Sequence, residues 1–449
     1  MHILVLLLAL APGLWAAPAS AGSEPASPDA LTLSMRDALV LAEDFSPDLK
    51  VARQREAAAE KNIAINEAYL YPTLDAGGVA TAGFPGFNGQ MSVAGPGYNN
   101  DLGTQGMYSS PYAKTPAGGL VSQFDLLDLK VPYRIKAARY RWQAEKARTE
   151  IARYKVDWDA LKYYFHCVRE RSTHEIWDRL YRTQLDPVYG NVVRLVNRGQ
   201  HNMADELLIA DQREDAAMSS AAHEELYRRT LLTLGTFIGA DGSDFECPSV
   251  SAMDDSVLAA LSTATASAYV LQASLESRGQ HALLSSRKAE NYPRLTAKAS
   301  VGALSGTRLT GVTDYSAGLG VSVPIFEGYG IESRIEQAEA QAREKDAAVS
   351  ALSLFVAVAN RVYDERIAFD LSQLGFLHSE LRLARDAYNV SLTRYKDYVG
   401  PLVDVREAIR DLARVETEIV DDETDLWLAR SSKTILNGGG VLRGVQSKG

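Results

Sequence analysis

Cysteine is scarce: two in 449 residues exclude a disulfide-dense scaffold and a zinc-ribbon framework. Basic charge is not in excess either. Lys+Arg number 47 against 57 Asp+Glu, a formal net charge of −10, which speaks against a nucleic-acid polyanion as partner. Beyond residue 21 no run of 18 apolar residues occurs, so a membrane-spanning helix is not expected. A transmembrane β-barrel stays open, because its strands need only about 9–11 alternating residues. Catalytic signatures are missing as well: no His-x-x-x-His, Cys-x-x-Cys, Gly-x-Ser-x-Gly, P-loop or Gly-x-Gly-x-x-Gly occurs. His166, Glu170 and His174 recur at i, i+4 and i+8. The outer two lie about 12 Å apart along a helix axis, too far to share one metal, and read as a solvated polar ladder. No catalytic residue, cofactor or metal ligand is expected. At 46% hydrophobic and 23% charged, the chain is nevertheless too apolar for disorder.

What is present begins with an export signal over residues 1–21. Ile3 to Leu10 is a continuous apolar run, and Ala19-Ser20-Ala21 fits the small-x-small cleavage pattern, placing the mature start near Gly22. His2 is the sole basic candidate before the run, and no Cys follows the cleavage site for a lipid anchor. The mature chain then repeats itself. Tyr71-Pro72 returns as Tyr292-Pro293, Leu127-Asp128 as Phe326-Glu327, Tyr164 as Tyr363 and Arg198 as Arg394, with offsets of 221, 199, 199 and 196. Four matches in one order indicate a single duplication: a first repeat over 22–250, a second over 251–437 and a flexible tail over 438–449.

Each repeat sets two strands among very long helices. Ile335, Ala338, Ala342, Val349, Leu352, Val356, Ala359 and Tyr363 follow the 3/4 spacing of a coiled-coil seam, which resumes from Leu374 to Tyr395 with no Pro between Pro324 and Pro401. Roughly 65 helical residues make a rod of about 100 Å. Residues 133–198 repeat the pattern, and 204–238 and 402–436 return. In 295–303 and 315–323 apolar residues alternate with Thr, Lys, Ser and Gly, a period of 2 at the length of a tilted outer-membrane strand. The first-repeat pair, about 72–83 and 119–128, alternates less cleanly. Between them 84–118 is rich in Gly, Pro, Asn and Ser and reads as an external loop. A soluble sheet with one wet face would alternate in the same way.

Taken together, the exported duplication, the period-2 hairpins and the ~100 Å helices resemble the TolC-like outer-membrane efflux protein family over residues 31–437. The most specific marks are Leu33-Ser34-Met35-Arg36-Asp37-Ala38-Leu39, then Val323-Pro324-Ile325-Phe326-Glu327-Gly328 with Gln337-Ala338-Glu339-Ala340, and the helix break from Arg394-Tyr395 through Val399-Gly400 to Val403-Asp404-Val405. Pro401 and Met203-Ala204 depart from the family pattern at the two breaks. The resemblance implies a mainly helical chain with membrane β-structure: a homotrimer whose four strands per chain close a 12-stranded outer-membrane β-barrel, continued by a periplasmic α-helical barrel. It implies a passive duct of a tripartite efflux or type I secretion system, working with a periplasmic adaptor protein and an inner-membrane pump. It further implies that the helix breaks form the inner tip, with Gly199, Met203, Ala204, Val399, Gly400, Pro401 and Leu402 as adaptor contacts. Asp404 and Glu407 lie one turn apart at a helix start. They read either as acids complementing the helix dipole or, by resemblance, as a constriction ring. Cys167 and Cys247 fall near one axial level if the helices run about 47 Å down and 51 Å back, which fits a disulfide or two separate thiols. The alternative from another class is a periplasmic or secreted coiled-coil scaffold without a pore.

Overall fold

The computed structural model describes residues 31–82, 114–242, 244–252, 267–306 and 309–438. The expected signal peptide, most of the expected external loop and nearly all of the expected tail lie outside those residues. The first repeat runs β1 (Leu31–Thr32), α1 (Met35–Phe45), α2 (Pro47–Glu67), β2 (Thr73–Ala82), β3 (Lys114–Leu127), α3 (Lys130–Arg179), α4 (Asp186–Asn197), α5 (Met203–Ile238) and β4 (Phe245–Glu246). The second runs α6 (Ala268–Lys288), β5 (Arg294–Gly306), β6 (Leu309–Ser322), α7 (Gly330–Lys396) and α8 (Leu402–Leu436).

Local chemistry explains the switches. Ser34 caps α1, its hydroxyl accepting from the Asp37 N–H at 3.2 Å. Ser46 ends α1 and caps α2, with Pro47 at the first turn where its missing N–H costs nothing. Both Tyr-Pro pairs follow a short 3₁₀ turn and stop the helix. Tyr71 and Tyr292 are extended (ψ 151° and 154°), as the residue before proline must be. A π-turn at Leu180–Leu185 separates α3 from α4 just ahead of Pro187. Proline removes one ladder hydrogen bond and crowds the preceding turn. The first rod is therefore interrupted within 133–198, whereas α7 runs unbroken for 67 residues.

The four long strands form one antiparallel sheet in the order β2-β3-β5-β6. Leu295, Ala297, Ala299 and Val301 sit opposite Val321, Leu319, Ala317 and Tyr315 on one face. Leu120 and Phe124 of β3 continue that face. Thr296, Lys298 and Ser300 line the other face with Gln123 and Asp125. The alternation in the sequence is thus a real division of the sheet. Two strands begin earlier than expected: β3 at Lys114, not 119, and β6 at Leu309, not 315. The loop correspondingly loses residues 114–118. Pro116 misleads at this point, since proline is tolerated where a strand has one neighbour. The β5 pairing runs only as far as Ala117, so Pro116 faces β2 alone.

The core lies among α1, α3, α4, α5 and α8, where Leu39, Leu161, Val192, Leu234 and Ile409 are fully buried. Each such side chain contributes roughly 1.5–3 kcal/mol relative to exposure. Gly239 ends α5 in the left-handed region (φ 73°), and a Cβ there would fall 2.3 Å from the Phe45 ring, so only glycine lets α1 close on α5.

Candidate functional site at the helical tip

The two helix breaks are copies of one turn. Gly199 (φ 70°) and Tyr398 (φ 59°) are left-handed and 199 residues apart. The Gly199 and Tyr398 N–H groups donate to Val196 and Tyr395 carbonyls at 2.8 and 3.1 Å. The next N–H groups, of Gln200 and Val399, donate to Leu195 and Arg394 at 2.9 and 2.8 Å. This is the double bond pattern of a Schellman cap. The helices restart at Met203 and Leu402, again 199 apart. The equivalence of Arg198 with Arg394, an offset of 196, is therefore corrected: Arg198 corresponds to Asp397. The left-handed residue of the second break is Tyr398. Gly400 instead allows close approach, since a Cβ there would meet the Arg394 Cβ at 3.1 Å.

The expected tip residues divide by exposure. Met203, Ala204, Gly199, Val399 and Pro401 are exposed, and Gly400 is half-buried. Leu402, expected at the exposed end, is fully buried in the core, because the first turn of α8 already packs its apolar side inward. A residue the sequence did not single out joins the two tips. The His201 ring lies 5.2 Å from the Tyr395 ring and stacks on Tyr398 at 5.7 Å, while its Nδ1 faces Asp205 at 3.2 Å. Burial, with Asp205 close by, pushes the Tyr395 hydroxyl up to about 12. The local pattern shows only the i, i+4 pair with Asp205, since the two ring partners of His201 are some 200 residues away.

Asp404 and Glu407 stand on the first two turns of α8, half-buried and exposed respectively. Among the described residues neither carboxylate has an ion-pair partner. Acids further along α8 do: Glu416 accepts from Arg179 and, at 3.1 Å, from Arg385, and Glu418 from Arg414 at 3.1 Å. The same stretch also carries Arg406 and Arg410, so the two acids stand out by lacking direct ion pairs and not by net charge.

The remaining sites follow α3. Cys167 and Cys247 are joined in a disulfide, Cα atoms 6.1 Å apart, both fully buried. Arg171 supports the linker through Glu246 (2.9 Å) and the Cys247 carbonyl. The His166–Glu170–His174 ladder is solvated only at its His166 end. Glu170 is buried and accepts from His223 of α5 at 2.8 Å, and His174 contacts the Ser220 carbonyl at 3.0 Å. Burial alone would raise the Glu170 pKa, but His223, His166 and Arg169 outweigh it and hold the carboxyl below its usual range. Among the described residues no set of three His, Cys, Asp or Glu side chains could hold a metal.

Among the described residues one face of α7 has no partner. Val362, Phe369, Phe376, Leu383 and Val390 recur every seven residues and are exposed by 57–73%. The buried seam of the same helix, Leu374 and Leu377, packs on Val415 and Ile419 of α8. By length and composition α7 could also cross a membrane, and the qualifying stretch is 6% buried.

Residues 261–432 match the profile of the outer membrane efflux protein family. Comparison with curated proteins gives no match. Among solved structures, the outer membrane protein VceC of Vibrio cholerae is similar with a TM-score of 0.74 at 16% identity, covering 91% of this chain and 96% of that one. A Pseudomonas aeruginosa membrane protein matches with a TM-score of 0.74 at 17% identity, covering 92% of each chain. The open state of the Neisseria gonorrhoeae MtrE outer membrane channel gives 0.68 at 18%, covering 91% and 90%. The match is to a channel family and not to an enzyme. Residues 261–432 carry the sequence of the outer membrane efflux protein family, and the described chain as a whole has the fold of TolC-like outer-membrane channels.

Proposed function

We propose that three copies of this chain form the outer-membrane channel of a tripartite efflux or type I secretion system. The observation that carries this is a pair of incomplete surfaces. The sheet has two open edges, β2 and β6, and unpaired strand edges cannot stand in lipid. The heptad stripe on α7 is an unmatched coiled-coil seam. A second and third copy complete both at once. Three sheets of four strands close a twelve-stranded barrel, with Leu74, Tyr315, Leu319 and Val321 toward lipid and Thr296, Lys298 and Ser300 toward the lumen. The long helices continue it as a periplasmic tunnel below the outer membrane of a Gram-negative cell. A scaffold without a pore has no use for a sheet with one apolar and one polar face.

At the inner end, Gly199, Met203, Ala204, Val399, Gly400 and Pro401 form the surface for a periplasmic adaptor, which links the duct to an inner-membrane pump. Threefold symmetry brings Asp404 and Glu407 of each copy around one axis as a six-carboxylate ring that favours cations. The domain plan is two repeats, each supplying one hairpin to the barrel and one helix pair to the tunnel. The experiment is to purify the full-length protein from membranes in detergent, measure its mass by sedimentation, and record conductance in a planar bilayer. A trimer with discrete channels is expected. Detergent-free extraction as a monomer without conductance would refute the reading.

A further inference from the structure

Among the described residues, Asp157 of α3 is the one carboxylate with 0% exposure, and it lies in the helical core, away from the tips. Neither of its oxygens has a hydrogen-bond donor, and the Glu43 Oε1 atom, in the last turn of α1, has none either. Among the described residues, Arg153 is the cation whose charge bears on Asp157. Arg153 lies 3.6 Å from Glu43 and 3.2 Å from Glu150, so it is already shared between two other acids. With Arg153 engaged in this way, an ionised Asp157 would be a fully buried charge with no hydrogen-bond donor, which is costly. A single proton removes the difficulty. Two ionised carboxylates cannot hydrogen-bond, whereas a neutral one donates to the other, giving Asp157 and Glu43 the partner that each lacks.

We propose that Asp157 and Glu43 share one proton at neutral pH and that this proton is a latch holding the N-terminal helix α1 against α3. The groups whose charge bears on Asp157 are Glu43 from α1 and, from its own helix, Arg153 and Glu150. From α8, Ser432 reaches the same stretch and accepts from the Trp158 indole at 3.0 Å. Burial first and Glu43 second push the Asp157 carboxyl up to about 8. The sign follows from linkage. A carboxyl whose pKa is raised in the folded state stabilises the closed latch fully below its unfolded value near 3.8. That contribution is lost as pH rises through the folded value. α1 is a lever in this position: it carries β1, which pairs with β4 beside the disulfide, and its Phe45 closes against Gly239.

Hydrogen exchange on the detergent-solubilised full-length protein tests this. Between pH 5 and 7 the opening constant of α1 amides should rise about tenfold per pH unit beyond the intrinsic exchange rate. In Asp157→Asn, which keeps the neutral shape, the opening constant should not change with pH. Infrared difference spectra of the wild-type protein supply a second readout that needs no variant: a protonated-carboxyl band at pH 7 that disappears in strong alkali. The proposal is overturned if α1 exchange has the same pH dependence in both proteins, or if no such band is present at pH 7. It is equally overturned if added sodium or calcium replaces the proton and protects α1, since a cation would then occupy the site.

Discussion

The disulfide offers the prediction whose magnitude follows most directly from the structure. Cys167 and Cys247 are 80 residues apart, and the loop they close contains the lower part of α3, the π-turn, α4, the first tip, α5 and β4. Cross-linking removes loop-closure entropy from the unfolded chain, and for a loop of this length the chain-entropy relation gives about 4.5 kcal/mol at 25 °C. The variant Cys167→Ala with Cys247→Ala should still fold. Arg171 continues to hold Glu246 and the Cys247 carbonyl, and the Val250 N–H continues to donate to the Ser172 hydroxyl at 2.9 Å. Its urea unfolding in detergent, followed by far-UV circular dichroism, should have a midpoint lower by roughly 1 M or more, taking about 3 kcal/mol/M for the slope. Because both sulfurs are fully buried, reductant should leave the native protein unchanged and reproduce the lowered midpoint only when present during unfolding. Coincident midpoints for the oxidised wild type and the variant would refute the reasoning. So would two titratable thiols per chain in the unreduced, denatured protein.

Other outcomes test the assembly and the tips. Phe376→Glu on the exposed α7 stripe should leave the helical content of the protomer intact and abolish the trimer in sedimentation, because it would bury an uncompensated carboxylate in the seam at a cost of several kcal/mol. Met203→Asp with Val399→Asp should change stability by less than about 0.5 kcal/mol, both side chains being exposed. Export in cells should nevertheless be lost; normal export would remove these residues from the adaptor surface. Asp404→Ala with Glu407→Ala should weaken block by divalent cations and lower cation preference in single-channel recordings. If both stay as in the wild type, these residues act only as helix-start acids.

How much was legible in the sequence follows from the range of each interaction. A period of 2 in 295–301 and 315–322 shows which side chains share a face, because alternation is a property of the backbone alone. The Tyr-Pro pairs end their helices for equally local steric reasons. The heptads of α7 foretell a rod with one seam, whereas the second, exposed stripe from Val362 to Val390 emerged only once the buried side of the helix was known. Tertiary structure decided the rest. Arg198 and Arg394 look equivalent by type, yet the hydrogen-bond pattern of the two caps carries the register of 199, already seen at Leu127/Phe326 and Tyr164/Tyr363, through to the tips. Leu402 reads as a tip residue until α8 is packed. Axial arithmetic brought Cys167 and Cys247 to one level, but their Cα separation of 6.1 Å depends on how the linker after β4 lies on α3. His201 between two tyrosines, and Asp157 beside Glu43, join residues with more than 100 positions between them. No periodicity encodes such a meeting, because side chains distant along the chain become neighbours only through the packing of whole helices.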